Sequence, residues 1–409
     1  MYIVMQNLTT LSRADLLDRA SKHYFSLGVD DGASSLCKEN FKFGLAKLHY
    51  AQEQLGMKPN ATFISTPDET ISRNKRRWLS GYGYGGKLSW GDNKDTVIFI
   101  DTKPNACGML VGGLDELPKP EQILQNINSL NNSDLYYDNI KIKLDFKTGN
   151  HFIDVFKTEK EAVRERNFPP FMFVSHGSAP ELKGESEKGL GLYYDKSPAL
   201  RAISKKIDTP FGPALYLEGN EAKEYMRFFL YAKNFAAIKR EIIAEKIFGK
   251  FKKISNPMHQ GMHKINEVLL GAQHIDEEKG KIFPVCLRSD LPTYLVTTVP
   301  NLTEEQIDIL GFESRAKKYD LLHRLTQFNA LPHGGGYEMI GINRVKKVLE
   351  LDGDRYFVCE QVNEDAITII NDPSENEFVY RGKKIINKIE NLKLGTIVAH
   401  LYPRFILKV

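Results

Sequence analysis

The chain has 409 residues and 42% hydrophobic content, ample for a packed core. Lys and Arg total 56 against 52 Asp and Glu, so the net charge of +4 excludes a uniformly basic surface, and a nucleic-acid site has to be a local patch. Cys37, Cys107, Cys286 and Cys359 are scattered without CxxC spacing, which points away from a zinc ribbon or a disulfide framework. The opening "MYIVMQNLTT" has no basic stretch leading into an apolar run, and no apolar run approaches a membrane span. A cytoplasmic protein is the expectation.

In chain order, "RADLLDRASKHYF" and "FKFGLAKLHYAQEQLG" carry apolar residues at helical spacing, the second ending on a glycine stop. "SRNKRRWLSGYGYGG" (72–86) sets Arg73, Lys75, Arg76 and Arg77 beside Trp78 and two tyrosines. Cations neutralise phosphates and aromatic rings stack on bases, so this is either a nucleic-acid contact or a solvated basic helix end. "TVIFID" (96–101) reads as a buried strand running into "TKPNACGML", and "FMFVSHGS" (171–178) is a second short apolar run ending on polar residues and glycine. Residues 220–250 form the longest helical stretch, with an apolar face through Met226, Phe229, Ile242 and Ile243. "TEEQIDILGF" opens with Thr303 and places Gln306 three residues on, a capping-box pattern. "DRYFVCEQV", "AITIIN" and "EFVYRG" read as short strands, "GKKIINKIENL" as a helix, and the final "LYPRFILKV" is too apolar for a loose tail. Helices and strands interleave irregularly and no repeat is visible. The expected fold is a mixed α/β or α+β single domain over residues 1–409 with a central sheet.

Four of the ten histidines stand in unusual surroundings. His151 lies in "TGNHFIDV", His176 in "VSHGSAP" and His274 in "LLGAQHIDEE". His333 lies in "LPHGGGYEM", directly before three glycines. Cys107 in "NACGML" shares the pattern of a polar side chain between an apolar run and a glycine. Strand ends that deliver such side chains into glycine-rich turns are a common way to build a site. A thiolate with several imidazoles suits manganese, zinc or iron. A half-buried hydrogen-bonded ring, or for "HGGG" a surface turn, is the competing reading at each position. His23, His49, His259, His263, His323 and His400 show no such constellation.

Taken in order, these stretches resemble the RtcB-type RNA ligases, which join a 3′-phosphate (or 2′,3′-cyclic phosphate) RNA end to a 5′-hydroxyl end using GTP and manganese. "GYGYGG", "ACGML", "GNHFIDV", "SHGS", "YAKNFAAIKREI" with Asn234 and Phe235, "GAQHIDEE", "HGGG" and the terminal "LYPRFILKV" follow that family's motif order over most of the chain. The resemblance implies an RtcB-like domain with a metal and nucleotide cleft. It makes His333 the residue that takes the guanylyl group. Cys107, His151, His176 and His274 become ligands of one or two manganese ions. Asn150, Phe152, Asp154, Gly334, Gly335, Gly336, Tyr380 and Lys408 become nucleotide contacts, with Phe152 stacking on guanine and Asp154 accepting from its N1 and N2 edge. It also implies an RNA partner, such as broken ends or tRNA halves, and leaves room for an archease-like accessory protein.

The chain departs from the pattern at several points. Pro104 stands where a metal-binding aspartate is usual, with Asn105 and Asp101 as the nearby substitutes. Tyr337 replaces an arginine after the nucleophile loop, Ile275 replaces an asparagine after the third histidine, and Ala179 and Pro180 occupy the place of another arginine. The interval from Cys107 to His151 is short. These departures keep two alternatives in view: a guanylyltransferase acting on another nucleic-acid end, and a non-catalytic nucleic-acid-binding relative.

Overall fold

The computed structural model describes residues 7–92, 94–146, 149–160, 167–275, 280–298, 302–362 and 365–407. A twelve-stranded, mostly antiparallel sheet runs through it. Its centre is the run Glu267–Leu270, Met258–Lys264, Cys107–Leu114, Phe171–Gly177, Phe152–Lys160 and Thr396–Leu407. Toward one edge lie Tyr84–Ser89, Thr62–Thr70 and Tyr24–Phe25, and toward the other Thr293–Thr297 and Ile282–Val285. With the helices around it this is a mixed α+β architecture, as the interleaved pattern predicts.

The strand "CGMLVGGL" (Cys107–Leu114) is buried at every position, as a strand covered on both faces must be. One covering element is the helix Gly219–Phe248. It buries Tyr225, Phe229, Ala232, Ala236, Arg240, Ile243 and Ile247 at spacings of three and four, the stripe of a helix lying against a core. Met226 and Ile242, expected on that stripe, are half-buried at its margin. The helix stops at Gly249, whose φ of 72° an L side chain resists. Phe229 is fully buried, and its truncation to alanine costs about 3–5 kcal/mol. Gly108 lies where this helix approaches the sheet. A Cβ there would sit 2.6 Å from the Arg240 guanidinium and 2.7 Å from the Pro257 carbonyl.

Several local expectations change. The first helix ends at Lys22, and Tyr24–Phe25 pairs into the sheet instead. The second helix starts at Gly32 rather than near Phe41, capped by the Asp31 side chain on Ser34 N–H. "TVIFID" is a strand only over Val97–Phe99 and turns as a 3₁₀ segment at Ile100–Thr102. Thr303 and Gln306 form both bonds of the capping box. In the basic stretch, Trp78 is buried and Arg77 donates to the carbonyls of Thr102 and Lys103, at 3.1 and 2.8 Å. Arg77 therefore holds a loop, while Lys75 and Arg76 remain on the surface beside Asp372 and Asp195, and the exposed Arg73 lies 4.6 Å from the Phe378 ring centroid. Among the described residues, no helix is long and apolar enough to cross a membrane.

Candidate functional site

Neighbouring central strands bring Cys107, His176 and His259 together. Cys107 opens its strand, with Gln260 as its cross-strand partner and Gly108 opposite Gly177. Cys107 Sγ lies 3.4 Å from His176 Nε2 and 3.2 Å from His151 Nε2, and His176 Nε2 lies 3.2 Å from His259 Nε2. Bond lengths of about 2.0–2.3 Å from one transition-metal ion put its ligands roughly 3.0–3.6 Å apart. The donor atoms of Cys107, His176 and His259 lie within 4.8 Å of one another and can hold a metal ion.

The outer nitrogens of these rings are anchored. His176 Nδ1 donates to the Asn150 carbonyl at 3.1 Å, and His151 Nδ1 faces the Asp145 carboxylate at 3.0 Å. Each anchor turns Nε2 of its ring inward, and at His176 it fixes the tautomer that presents a lone pair there. Asp145 is itself held by the buried Lys239 at 3.2 Å and by Ser178 N–H at 2.9 Å. Burial opposes the charge of that carboxylate, but His151 and Lys239 outweigh burial and hold it below the ordinary range. Burial likewise opposes the Cys107 thiolate, and the imidazoles of His151 and His176 reverse the balance, holding the thiol well below its usual value. For His151 the sulfur and Asp145 overcome burial and raise it to about 10. Burial dominates at His176, which is lowered, and at His259, which falls to about 3, so both rings stay neutral.

His333 stands beside this cluster, its ring stacked on His259 with centroids 4.6 Å apart and edge-on to Tyr84 at 5.6 Å. Its Nδ1 lies 2.8 Å from Asp68 Oδ2, and the same oxygen accepts from the backbone N–H groups of His333 and Gly334 at 3.2 and 3.3 Å. Thr66 Oγ1 donates to the other Asp68 oxygen at 2.6 Å, and the Asp68 side chain has no exposed surface. The carboxylate thus fixes the ring's orientation and leaves Nε2 as the free lone pair, the arrangement a nucleophilic imidazole needs.

The glycines after His333 meet protein backbone rather than open space. A Cβ on Gly334 would lie 2.5 Å from the Cys286 carbonyl, and one on Gly336 2.3 Å from the Asp68 carbonyl at a φ of +64°. "HGGG" is therefore a wedge that seats the histidine between Asp68 and Cys286. The same loop lines a cavity of about 330 Å³. Asn150, Phe152, Asp154, His176, Tyr380 and the three glycines also line it, so most of the expected nucleotide contacts meet at one cavity. Asp154 is buried and accepts from Leu407 N–H at 3.2 Å. Ile406 reaches the cavity. Lys408 lies outside the described residues.

His274 is the correction. It is not in the cluster; it stacks on His263 with centroids 3.5 Å apart and lines a different cavity. The register explains this. Ala272–His274 pairs with Ala330–Pro332, so the strand supports the His333 segment while its own histidine is carried away from the sulfur. His259 takes the third place; in "MHQG" its glycine comes two residues on, where Cys107, His176 and His333 have one directly after them. Asp68 and Asp145 were also missed: Asp68 is separated from His333 by 265 positions, and nothing local marks either. Neither substitute for the aspartate at Pro104 is arranged as a ligand. Asp101 is buried against Lys47 and Tyr82, and the Asn105 side chain accepts from Ala106 N–H at 2.9 Å.

No protein-family model and no curated protein matches the chain.

Proposed function

We propose that this chain is a GTP-dependent RNA ligase that works through a guanylylated histidine, His333. The observation that carries the reading is the Asp68–His333 pair, stacked on a metal-capable thiolate–imidazole cluster and opening into the cavity walled by Phe152 and Asp154. In the first step His333 Nε2 attacks the α-phosphorus of GTP, a P–N bond forms, and the bond to pyrophosphate breaks. Asp68 accepts from Nδ1–H and stabilises the positive charge that develops on the ring. Next an oxygen of the RNA 3′-phosphate attacks the guanylyl phosphorus and the P–N bond breaks. The 5′-hydroxyl of the second end then attacks the activated 3′-phosphate, loses its proton, and GMP leaves.

Cys107, His176 and His259 would hold the metal, and manganese is the ion that the resemblance implies. A bound divalent ion would neutralise phosphate charge as pyrophosphate departs. Phe152 would pack on the guanine face and Asp154 would accept from its N1 and N2 edge. The amide Gln260 directly after His259 supports His259 over His274 as the third ligand, since Ile275 follows the latter. With only Cys107 and His151 left on the second side and no carboxylate at Pro104, a single ion is favoured over two.

The test is incubation with α-labelled GTP and manganese. The protein should carry covalent label, and His333→Ala should carry none. A folded wild-type protein that takes no label with any divalent metal would end the reading.

A further inference from the structure

We propose that Arg73, Tyr337 and Tyr380 hold the 3′-terminal stretch of a single RNA strand beside the His333 cavity, Arg73 on a backbone phosphate and a base against the two rings. This rests on the ligase reading and names the contact that guides an RNA end toward the guanylylated histidine. Arg73 differs from the other cations of its stretch. Arg77 is spent on the carbonyls of Thr102 and Lys103, and Lys75 and Arg76 pair with Asp372 and Asp195 at 3.3 and 3.0 Å. Arg73 is exposed, and among the described residues its guanidinium makes no ion pair and no hydrogen bond. It lies instead 4.6 Å from the ring centroid of Phe378 and 5.9 Å from that of Tyr337. A guanidinium held by its face against a ring keeps its N–H groups at the edge, where they can fork onto an anion. The side chain is thus positioned while its donors stay unused.

The rings beneath it belong to a two-stranded ladder, Tyr337–Met339 with Phe378–Tyr380. Tyr337 stands directly opposite Tyr380, with centroids 5.2 Å apart, and Phe378 lies 4.7 Å from Tyr337. All three are half-buried, so each keeps ring surface open to a partner. Thr70 fixes the ladder: its hydroxyl accepts from Tyr337 N–H at 3.1 Å and donates to the Tyr337 carbonyl at 2.8 Å. Thr70, Tyr337 and Tyr380 all line the cavity that His333 lines. Arg73 follows Thr70 by three residues, and Tyr337 follows His333 by four. One run of contacts therefore leads from the open guanidinium across the tyrosines to the reacting histidine.

A cation beside open aromatic surface matches a nucleotide, whose phosphate needs charge and whose base needs a π-face. A free phosphate would leave the tyrosines uncovered. A duplex would offer phosphates but keep its bases stacked on one another, so the geometry favours an unpaired strand.

The test uses a fluorescein-labelled single-stranded RNA about ten nucleotides long with a 3′-phosphate, and the same RNA made abasic at its 3′-terminal nucleotides. Anisotropy is followed over a salt series with wild type, Arg73→Gln and Lys246→Gln. Lys246 is exposed in the last turn of the long helix, outside the cavity lining and the ladder, and loses the same charge. Arg73→Gln should bind about fivefold more weakly near 0.1 M salt, with a log–log salt slope smaller by about 0.7, the share of one phosphate on a single strand. Lys246→Gln should stay within about twofold of wild type. The abasic RNA should bind wild type about fivefold or more weakly at an unchanged slope, since stacking releases no counterion. Wild-type affinity and slope in Arg73→Gln, equal weakening by Lys246→Gln, or full affinity for the abasic RNA would overturn the proposal. GTP labelling of wild type, run in parallel, separates the two readings. No label, with RNA binding that depends on Arg73 and on the terminal bases, ends the ligase reading and leaves this contact standing. Label, with RNA binding indifferent to Arg73, ends the contact and leaves the ligase reading.

Discussion

His23 and His49 meet edge to face with ring centroids 4.4 Å apart; His151 and His176 meet in the same manner at 4.7 Å. Both pairs are largely removed from solvent, yet they differ in where their nitrogens point. His49 Nε2 lies 2.8 Å from the Ala61 carbonyl, His23 Nδ1 lies 3.5 Å from Thr62 Oγ1, and the remaining nitrogen of each has no partner among the described residues. Those contacts lead apart, with no sulfur and no carboxylate at a shared point. In the other group, Asp145 and the Asn150 carbonyl take the outer nitrogens and direct the inner ones at Cys107. Burial alone leaves a core histidine; burial with outer anchors and a common focus makes a ligand.

The strongest way to break this comparison is to remove members of each group and read GTP labelling. His333→Ala should abolish label, since no other group supplies the lone pair. Cys107→Ala and His259→Ala should reduce it by about a hundredfold or more through lost metal, while His49→Gln should leave it within about twofold. Label that survives in His259→Ala but disappears in His274→Ala would reverse the assignment of the third ligand. Asp68→Asn sharpens the contrast further. The amide can still bond the ring but favours the wrong tautomer, so labelling should fall about a hundredfold or more with little change in metal content. Equal labelling by Asp68→Asn and wild type would remove Asp68 from its positioning role.

Asp145→Ala should act one step farther out. It frees His151 Nδ1 and leaves Lys239 with only Glu181 as a carboxylate partner. Outer partners of metal ligands are worth about 10–100-fold in affinity, so manganese titration followed by equilibrium dialysis should register a loss in that range. An unchanged affinity would mean that His151 does not share the ion bound by its neighbours.

The elements that carry chemistry were partly readable from local pattern. Cys107, His151, His176 and His333 each sit beside a glycine or asparagine at a strand end, and the fold brings them to one place. His259 stands between Met258 and Gln260, with a glycine only two residues on and among weak strand signals, so its burial in the central sheet could not be seen. His274, between Gln273 and Ile275, stands at the end of an apolar run in another strand. What separates the two is register, Met258 opposite Gly108 against His274 opposite Ala330, and register is set by long-range pairing. The long helix was plain because its apolar residues recur at helical spacing. The start of Gly32–Gln54 was obscured by glycine and serine, weak helix formers that tertiary packing overrides. Asp68 was out of reach for a simpler reason: its meaning depends on a residue far away along the chain.

The smallest effect concerns the histidine pair that has no site. Burial lowers His49 to about 3 and lowers His23 well below its ordinary 6.5, so both are neutral in the folded chain. In the unfolded chain each takes a proton near pH 6.5. The folded values lie below the unfolded ones, so the stability these rings contribute is complete above about pH 6.5 and is lost as the pH falls toward 3. The loss should be on the order of a few kcal/mol, steepest between about pH 6 and 4. Urea unfolding followed across that range should show it, and His49→Gln should make the dependence shallower while lowering stability at neutral pH. An identical slope in the variant would mean that this pair is already solvated or protonated in the folded chain, and burial would then fail as the feature that makes the two groups comparable.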